Sequence, residues 1–210
     1  KLGRALGDVR SQYILASKTM SATREEALAD VQKTLELTRS DYVDLYQLHN
    51  PQKVDFDDPN SAYAGLVEAK KKGYIRHIGV TNHSPKIAIA CIESGKFETL
   101  QFPFNYLSGD VEMDLLARCK AHDMGFIAMK ALSGGMVANV PATFTFIRQY
   151  ENVVPIYGIQ HEWELDEFLA LTANPPALDE KMQAIIEQDR KDLSQEFCRA
   201  CGYCMPCPVG

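Results

Sequence analysis

The chain has 210 residues and a formal net charge of −6, which disfavours a polyanion such as nucleic acid as its main partner. Hydrophobic residues make up 46% and charged residues 24%, ordinary globular proportions that exclude a disordered chain and leave enough apolar mass for a core. No apolar run approaches the roughly 20 residues a membrane helix needs, so a soluble protein is expected.

The opening Lys1-Leu2-Gly3-Arg4-Ala5-Leu6-Gly7 reads as the tail of a helix closing on glycine. With no initiating Met and no secretory signal, the chain is expected to be the visible part of a longer protein. Residues 13–17 form a short apolar run of strand length ending on Lys18. Ser21 or Thr23 caps the next helix, with Glu25 and Glu26 in its first turn. The stretch 42–51, Tyr-Val-Asp-Leu-Tyr-Gln-Leu-His-Asn-Pro, reads as a buried strand that breaks on Asn-Pro and leaves His49 at its carboxyl end. A helix marked by Ala62, Leu66, Val67 and Ala69 ends in Lys70-Lys71-Lys72-Gly73. Those lysines complement a helix dipole and are read as a helix end rather than as a phosphate site.

Strands are then expected at 75–80, 99–104, 125–129 and 153–156, and helices from Ser84-Pro85, over 111–122, 142–150 and 162–172, and at 179–192. Strand and helix thus alternate six times at the length of βα repeats, and the strands are solid apolar runs, as parallel strands covered on both faces are. An open doubly wound sheet and a closed (β/α)8 TIM barrel both produce that alternation. No glycine-rich dinucleotide fingerprint follows any strand, which weakens the first. The barrel is the expected fold, with about six of its eight βα units represented here and the missing pair before Lys1. A last helix and a Cys-rich tail follow. Residues 1–192 are expected to form the barrel-like part and 193–210 the tail.

Polar residues gather at the strand exits: Lys18, His49, Thr81-Asn82, 101–106, 130–135 and 158–160. A lysine and a histidine facing one cleft suit carbonyl chemistry. The ammonium lowers the pKa of a nearby phenol, and the imidazole orients a carbonyl oxygen. Asn82 and Gln101 offer amides to a polar ligand such as a carboxamide. Ser133-Gly134-Gly135 allows close backbone approach to a phosphate, although a plain turn explains that triplet equally well.

From about residue 14 to 171 the chain resembles the aldo-keto reductases. The resemblance is carried by Ala16-Ser17-Lys18-Thr19, Asp41-Tyr42-Val43-Asp44-Leu45-Tyr46-Gln47-Leu48-His49, Ile78-Gly79-Val80-Thr81-Asn82-His83-Ser84, Gln101-Phe102-Pro103-Phe104-Asn105 and Met129-Lys130-Ala131-Leu132-Ser133-Gly134-Gly135. It implies a (β/α)8 barrel that binds NAD(P)H in an extended pose. Lys18 is then similar to the family's catalytic lysine and His49 to its catalytic histidine. Thr81, Asn82 and Gln101 fall at the nicotinamide carboxamide, and Phe104 where a tyrosine usually stacks on the nicotinamide ring. Leu132, Gly134 and Gly135 would lie along the pyrophosphate; Gly158, Gln160, His161 and Glu167 along the adenosine.

Two departures stand out. The family's acid is a tyrosine partnered by an aspartate on a segment that precedes the Lys18 strand, and these 210 residues do not include it. At the adenosine end His161 and Phe168 replace a usual serine and asparagine. No Arg or Lys occurs between Arg148 and Lys181, while Glu162, Glu164, Asp166 and Glu167 crowd the segment. NADPH is the family's usual cofactor, whereas this local charge would repel a 2′-phosphate and favours NADH.

Six cysteines are present, four of them within the last thirteen residues. Cys91 and Cys119 are expected to be buried, inert thiols. Cys198, Cys201, Cys204 and Cys207 form three Cys-x-x-Cys steps with Pro208 after the last. This resembles ferredoxin-type ligation of a 4Fe–4S cluster, except that the last gap is two residues instead of three, which makes Cys207 the least secure ligand. Zinc held by the four thiolates is the alternative. A subgroup of bacterial and archaeal aldo-keto reductase homologues has a similar tail. The thiols suit a reducing cytoplasm.

The expected function is therefore NAD(P)H-dependent hydride transfer to or from a small-molecule aldehyde or ketone. The tail adds a cluster of structural use or in exchange with a redox partner protein, and neither nucleic acid nor membrane is a partner. The alternative is a reductase-like sensor or electron-transfer module without carbonyl turnover.

Overall fold

Four successive helices of this protein are followed by left-handed residues, and the chain turns there into the next strand. Arg39 (φ 54°), Gly73 (76°), Gly95 (63°) and Asp123 (52°) play this part in succession. The structure, a computed structural model, describes residues 1–193. In chain order its elements are α1 (Leu2–Leu6), β1 (Ala16–Thr19), α2 (Arg24–Thr38), β2 (Val43–His49), α3 (Ala62–Lys71), β3 (Ile75–Thr81) and α4 (Pro85–Glu93). There follow β4 (Thr99–Pro103), α5 (Asp110–Ala121), β5 (Gly125–Met129), α6 (Val140–Ile147), β6 (Val153–Pro155), α7 (Glu162–Ala173) and α8 (Glu180–Leu193). The six strands form one sheet in sequence order, β1-β2-β3-β4-β5-β6, with the right alternation for successive βα units. The described residues divide into two compact units, 1–102 with 115–126, and 103–114 with 127 onward.

In the first unit β1 to β4 pair in parallel, and their register sorts side chains onto two faces. Lys18, Gln47, Gly79 and Thr99 stand in one row, and His49, Thr81 and Gln101 in the next row of the same face. Thr19, Leu48, Val80 and Leu100 form the row between them, which faces the helices: the Thr19 hydroxyl donates to Asp30 of α2 at 2.6 Å. Val31, Leu66, Val80 and Leu100 are fully buried, each contributing on the order of 1.5–3 kcal/mol by leaving water.

The first strand begins later than the apolar run suggests. Residues 13–17 read as strand, but pairing starts at Ala16. The Asp44 carboxylate takes the Leu15 N–H at 2.9 Å and the Arg10 guanidinium at 2.6 Å. Arg10 also donates to the carbonyls of Tyr13 and Tyr42 at 2.9 and 3.0 Å and lies over both rings. Burial would raise the Asp44 pKa, yet the Leu15 N–H and the two arginines, Arg10 and Arg76, outweigh it and hold the carboxyl below its usual range. The Leu15 carbonyl still accepts from the Asp44 and Leu45 N–H groups at 3.0 and 3.1 Å, but its own N–H is spent on the carboxylate, and Ile14 before it is 82% exposed.

Of the two candidate caps for α2, Thr23 forms a capping box with Glu26. Ser21 turns instead to Asp30, donating at 2.8 Å. The helix expected at 142–150 runs Val140–Ile147, because the Asn139 side chain accepts from the Ala142 N–H at 2.9 Å and Pro141 sits in the first turn. In the second unit α8 is fastened to the 104–106 segment. The Tyr106 hydroxyl donates to Asp189, and Arg190 Nε donates to the Tyr106 carbonyl at 2.6 Å.

Gly79 sits where the first unit is tightest. A Cβ there would meet the Thr99 hydroxyl well inside contact distance and stand 3.1 Å from both Gln47 Cγ and Leu45 Cδ1. Gly79→Ala is therefore expected to cost about 1–3 kcal/mol of stability in urea unfolding. The pair Gly79→Ala with Thr99→Ala should cost less than the sum of the single variants; strict additivity would contradict this packing.

Candidate active site

The candidate side chains of the first unit lie towards the carboxyl ends of β1 to β3 and in the middle of β4. Lys18 lies on β1, one register row below His49 on β2, Thr81 on β3 and Gln101 on β4. A cavity of about 430 Å³ opens over His49, lined among others by Met20, Leu48, Pro51, Val54 and Tyr63. Lys18 is not among its lining residues. Directly after His49 the chain turns through Asn50 in the left-handed region (φ 51°), which asparagine tolerates better than most residues. The Asn50 N–H is bonded to the Thr81 carbonyl at 2.9 Å and to its hydroxyl oxygen at 3.1 Å. Thr81 thus fixes the turn that follows the histidine, with its own side chain buried.

Electrostatics separate the two candidate catalysts from ordinary surface groups. Burial pushes the His49 pKa down, and the nearby Lys18 charge pushes it further the same way. The imidazole is accordingly neutral at physiological pH, and its Nδ1 is buried without a hydrogen-bond partner. Lys18 remains partly exposed on the end strand of the sheet, but burial lowers its pKa below the usual lysine range.

Asn82 is buried and nearly used up. Its Oδ1 accepts from the N–H groups of His83 and Ser84 at 2.9 and 2.8 Å, and its Nδ2 donates to the Pro51 carbonyl at 2.9 Å. One Nδ2 hydrogen remains in that inventory, a donor suited to a carboxamide oxygen. Gln101, also buried, accepts through Oε1 from Gln47 Nε2 at 3.1 Å.

Three supporting residues have no role in the reading of the sequence. Asp30 of α2 accepts from both Thr19 and Ser21 and so secures the chain just beyond Lys18; an acid inside a helix reads as solvated face, and only its spacing to a strand exit hints otherwise. Gln47, a polar residue inside an apolar strand, is the visible signal for the amide pair. Asn105 is the third. Its Nδ2 donates to the Lys130 carbonyl at 2.9 Å and its Oδ1 accepts from the Leu107 N–H at 2.8 Å.

In the second unit, Asn105 thereby pins the loop after β5. Lys130 (φ 58°), Ser133 (50°), Gly134 (73°) and Gly135 (95°) are all left-handed there, and the Ser133 N–H is bonded to the Lys130 carbonyl at 2.7 Å. Such backbone is costly for the two non-glycine residues. Gly134 and Gly135 are exposed, Leu132 is half-buried, and the space a Cβ of Gly135 would occupy is open.

Phe104 has a different setting from the one expected of a stacking ring. It is 0% exposed and packs on Phe146 at 5.9 Å and edge-on to Tyr150 at 5.5 Å. Its ring is committed to the core of the second unit. Phe168 is likewise a core residue, stacked on Tyr157 with centroids 4.0 Å apart. Gly158, Gln160 and His161 are exposed and Glu167 half-buried at the start of α7. There the Glu164 carboxylate accepts from the backbone N–H groups of Gln160 and His161 at 2.6 and 2.9 Å, which lowers its pKa.

Among the described residues no group of three or more His, Cys, Asp or Glu is placed to hold a metal. Cys198, Cys201, Cys204 and Cys207 lie outside the described residues. Cys91 and Cys119 are free and buried, as expected, with burial pushing their thiols up to about 11 and about 12.

Known proteins share sequence and fold with this chain. The model of the aldo/keto reductase family matches residues 1–143. Aldo-keto reductase YhdN of Bacillus subtilis is 28% identical over 149 residues, 65% of this chain and 44% of that protein. Methylglyoxal reductase DkgB of Salmonella typhimurium is 27% identical over 145 residues, 65% of this chain and 54% of that protein. The chain spans about half the length of the curated relatives it matches. Among solved structures, the holo form of an aldo-keto reductase from Bacillus halodurans superposes with a TM-score of 0.75 at 16% identity, over 89% of this chain and 75% of that one. An aldo/keto reductase from Klebsiella pneumoniae in complex with NADP and acetate superposes with a TM-score of 0.71 at 19% identity, over 89% and 73%. At these identities the structural likeness establishes the fold, a (β/α)8 barrel of which six βα units are represented here. The family model matches well over half of the residues, and this chain belongs to the aldo/keto reductase family.

Proposed function

We propose that the chain is part of an NAD(P)H-dependent oxidoreductase that moves a hydride between nicotinamide and an aldehyde or ketone. The observation that carries this reading is the neutral, cavity-facing His49 beside Lys18 at the carboxyl ends of adjacent parallel strands. A neutral imidazole donates a hydrogen bond to a carbonyl oxygen and orients it without adding charge. The desolvated Lys18 ammonium stabilises a phenolate brought beside it, lowering the pKa of a tyrosine acid. The methylglyoxal reductases among the relatives support a small carbonyl compound as substrate.

The remaining Asn82 hydrogen and the amide of Gln101 fit a nicotinamide carboxamide. The bound cofactor supplies the hydride; the protein's own groups hold it and guide the proton. In the second unit the open left-handed loop with Leu132, Gly134 and Gly135 fits a pyrophosphate. Gly158, Gln160, His161 and Glu167 would border the adenosine. Glu164 already takes the two N–H groups at the start of α7, where a 2′-phosphate would otherwise find donors. That supports NADH over NADPH, although the Klebsiella relative is in complex with NADP. Cys198, Cys201, Cys204 and Cys207 are proposed to hold a 4Fe–4S cluster on the strength of their spacing, with a reducing cytoplasm as the compartment and a redox protein as its partner. No described helix is long and apolar enough to cross a membrane.

Assays of full-length protein with NADH and NADPH against a panel of aldehydes and ketones test the central reading. Lys18→Met and His49→Gln are each expected to lose about 10²–10⁴-fold in kcat, and NADH should bind more tightly than NADPH. Turnover that survives both substitutions would refute the assignment. His49 also makes stability depend on pH. Its folded pKa lies below the unfolded value of about 6.5, so between the two the unfolded state holds more protons and stability falls as pH drops below about 6.5. His49→Gln should flatten that part of the curve measured by urea unfolding between pH 8 and pH 5; an unchanged slope would show that His49 is not desolvated. Anaerobic purification with iron, acid-labile sulfide and zinc analysis should find iron and sulfide in equal amounts near four per chain. Zinc without sulfide would exclude the cluster.

A further inference from the structure

The cavity over His49 is wider than hydride transfer to a small aldehyde demands. Its volume of about 430 Å³ falls in the range of pockets that enclose a sizeable organic ligand. Met20, Leu48, Pro51, Val54 and Tyr63 supply apolar lining beside the histidine. Several polar side chains of the same lining are already engaged with the protein. Thr19 and Ser21 donate to Asp30, Ser61 caps α3, and Asp58 accepts from the Asn60 N–H at 2.8 Å. Lys53 leans on Asp55 at 3.7 Å. Pro51 and Val54 belong to the loop between β2 and α3, which is bonded at its ends. Asn82 Nδ2 donates to the Pro51 carbonyl at 2.9 Å, and the Arg24 N–H to the Asn60 carbonyl at 2.7 Å. Between those ends, among the described residues, the hydrogen bonds of residues 52–57 stay inside the loop. Its middle is tied down by Phe56, edge-on to Tyr63 at 5.2 Å and to Phe97 at 5.8 Å. Those two partners are themselves fixed: Phe97 is buried, and the Tyr63 hydroxyl donates to the Lys96 carbonyl at 3.2 Å.

We propose that Phe56 is a positioning residue that holds Pro51 and Val54 as an apolar wall over His49, and that this wall selects carbonyl compounds with a bulky apolar substituent, such as aromatic aldehydes. Phe56 does not line the cavity itself; it acts through Val54, two residues before it, and through Tyr63, which it touches. A carbonyl oxygen bonded to His49 brings its substituent into the cavity, because the histidine lines that same space. A ring there leaves water against apolar side chains, whereas a methyl group is too short to cover them. This inference rests on the reading of His49 as the group that orients the carbonyl.

Steady-state reduction of benzaldehyde and of methylglyoxal by NADH is measured with full-length protein. Native protein should show the higher kcat/KM for benzaldehyde. Phe56→Ala should raise KM for benzaldehyde about tenfold with kcat within about threefold, and leave both kcat/KM for methylglyoxal and the affinity for NADH within about twofold. Phe56→Leu keeps apolar bulk at the anchor and should recover most of the benzaldehyde KM. Val54→Ser changes the wall without touching the anchor. It should also weaken benzaldehyde more than methylglyoxal, and it carries the test if Phe56→Ala does not fold. A native preference for methylglyoxal, or equal losses for both carbonyls in these variants, overturns the inference while the hydride-transfer reading stands. Native protein that reduces neither these two nor any other aldehyde or ketone overturns the underlying reading as well.

Discussion

The parallel register of the first four strands is the constraint on which the remainder depends. Side chains alternate faces with a period of two, so a slip of one residue would turn Lys18, Gln47 and His49 towards the helices and bring Thr19 and Leu48 to the inner face. Several independent contacts forbid that slip. Leu48, Val80 and Leu100 are buried against the helices, Thr19 is tied to Asp30, and the Asn50 N–H is held by both oxygens of Thr81. None of these contacts touches the proposed reacting groups, yet each fixes the height at which one leaves its strand. Sheet formation and placement of the chemistry are therefore one event.

That placement works against stability in places. Lys18 and His49 both have depressed pKa values because burial disfavours their charged forms. The unpartnered Nδ1 of His49 and Oε1 of Gln47 add to the cost. A chain selected for stability alone would replace these groups by apolar ones; on the proposed reading, retaining them is the usual compromise at a working site. Asn82 shows the opposite behaviour, since its turn towards α4 and its bond to Pro51 stabilise the loop while sparing one hydrogen. The polar groups thus differ in kind, some locked and others open.

What was legible in the sequence follows from the range of the interactions involved. Lys18, His49 and Asn82 could be placed near strand exits because a polar residue closing a strand-like run marks where a parallel strand stops, and the bounds of β5 match their expected ones for the same reason; Gln101, between Leu100 and Phe102 inside β4, carries no such mark. The late start of β1 could not be read, since Tyr13, Ile14 and Leu15 have strand character and only Asp44, far along the chain, takes the Leu15 N–H. Phe104 marks a similar limit. An aromatic residue after a strand reads alike whether it stacks on a ligand or fills a core, and Phe146 and Tyr150, some forty residues later in the chain, decide for the core. Gln47 stands out as polar among apolar neighbours, but nothing local names Gln101 as its partner.

The second unit handles negative charge in two contrasting ways, and the contrast bears on cofactor choice. Its β5 loop holds Lys130, Ser133, Gly134 and Gly135 in left-handed conformations, with the Ser133 and Gly135 N–H groups bonded to the Lys130 and Leu132 carbonyls at 2.7 and 2.8 Å. Asn105 fastens that loop through the Lys130 carbonyl, so its conformation is imposed from the adjoining segment rather than left to a ligand. The start of α7 also presents N–H groups, but Glu164 accepts from two of them and supplies its own negative charge. A phosphate approaching there must displace a carboxylate whose pKa those same bonds have lowered. On the proposed reading the diphosphate shared by both nicotinamide cofactors meets a prepared loop, whereas the 2′-phosphate that distinguishes them meets an occupied helix end. Discrimination then rests on one intramolecular carboxylate, and requires no residue that recognises NADH itself.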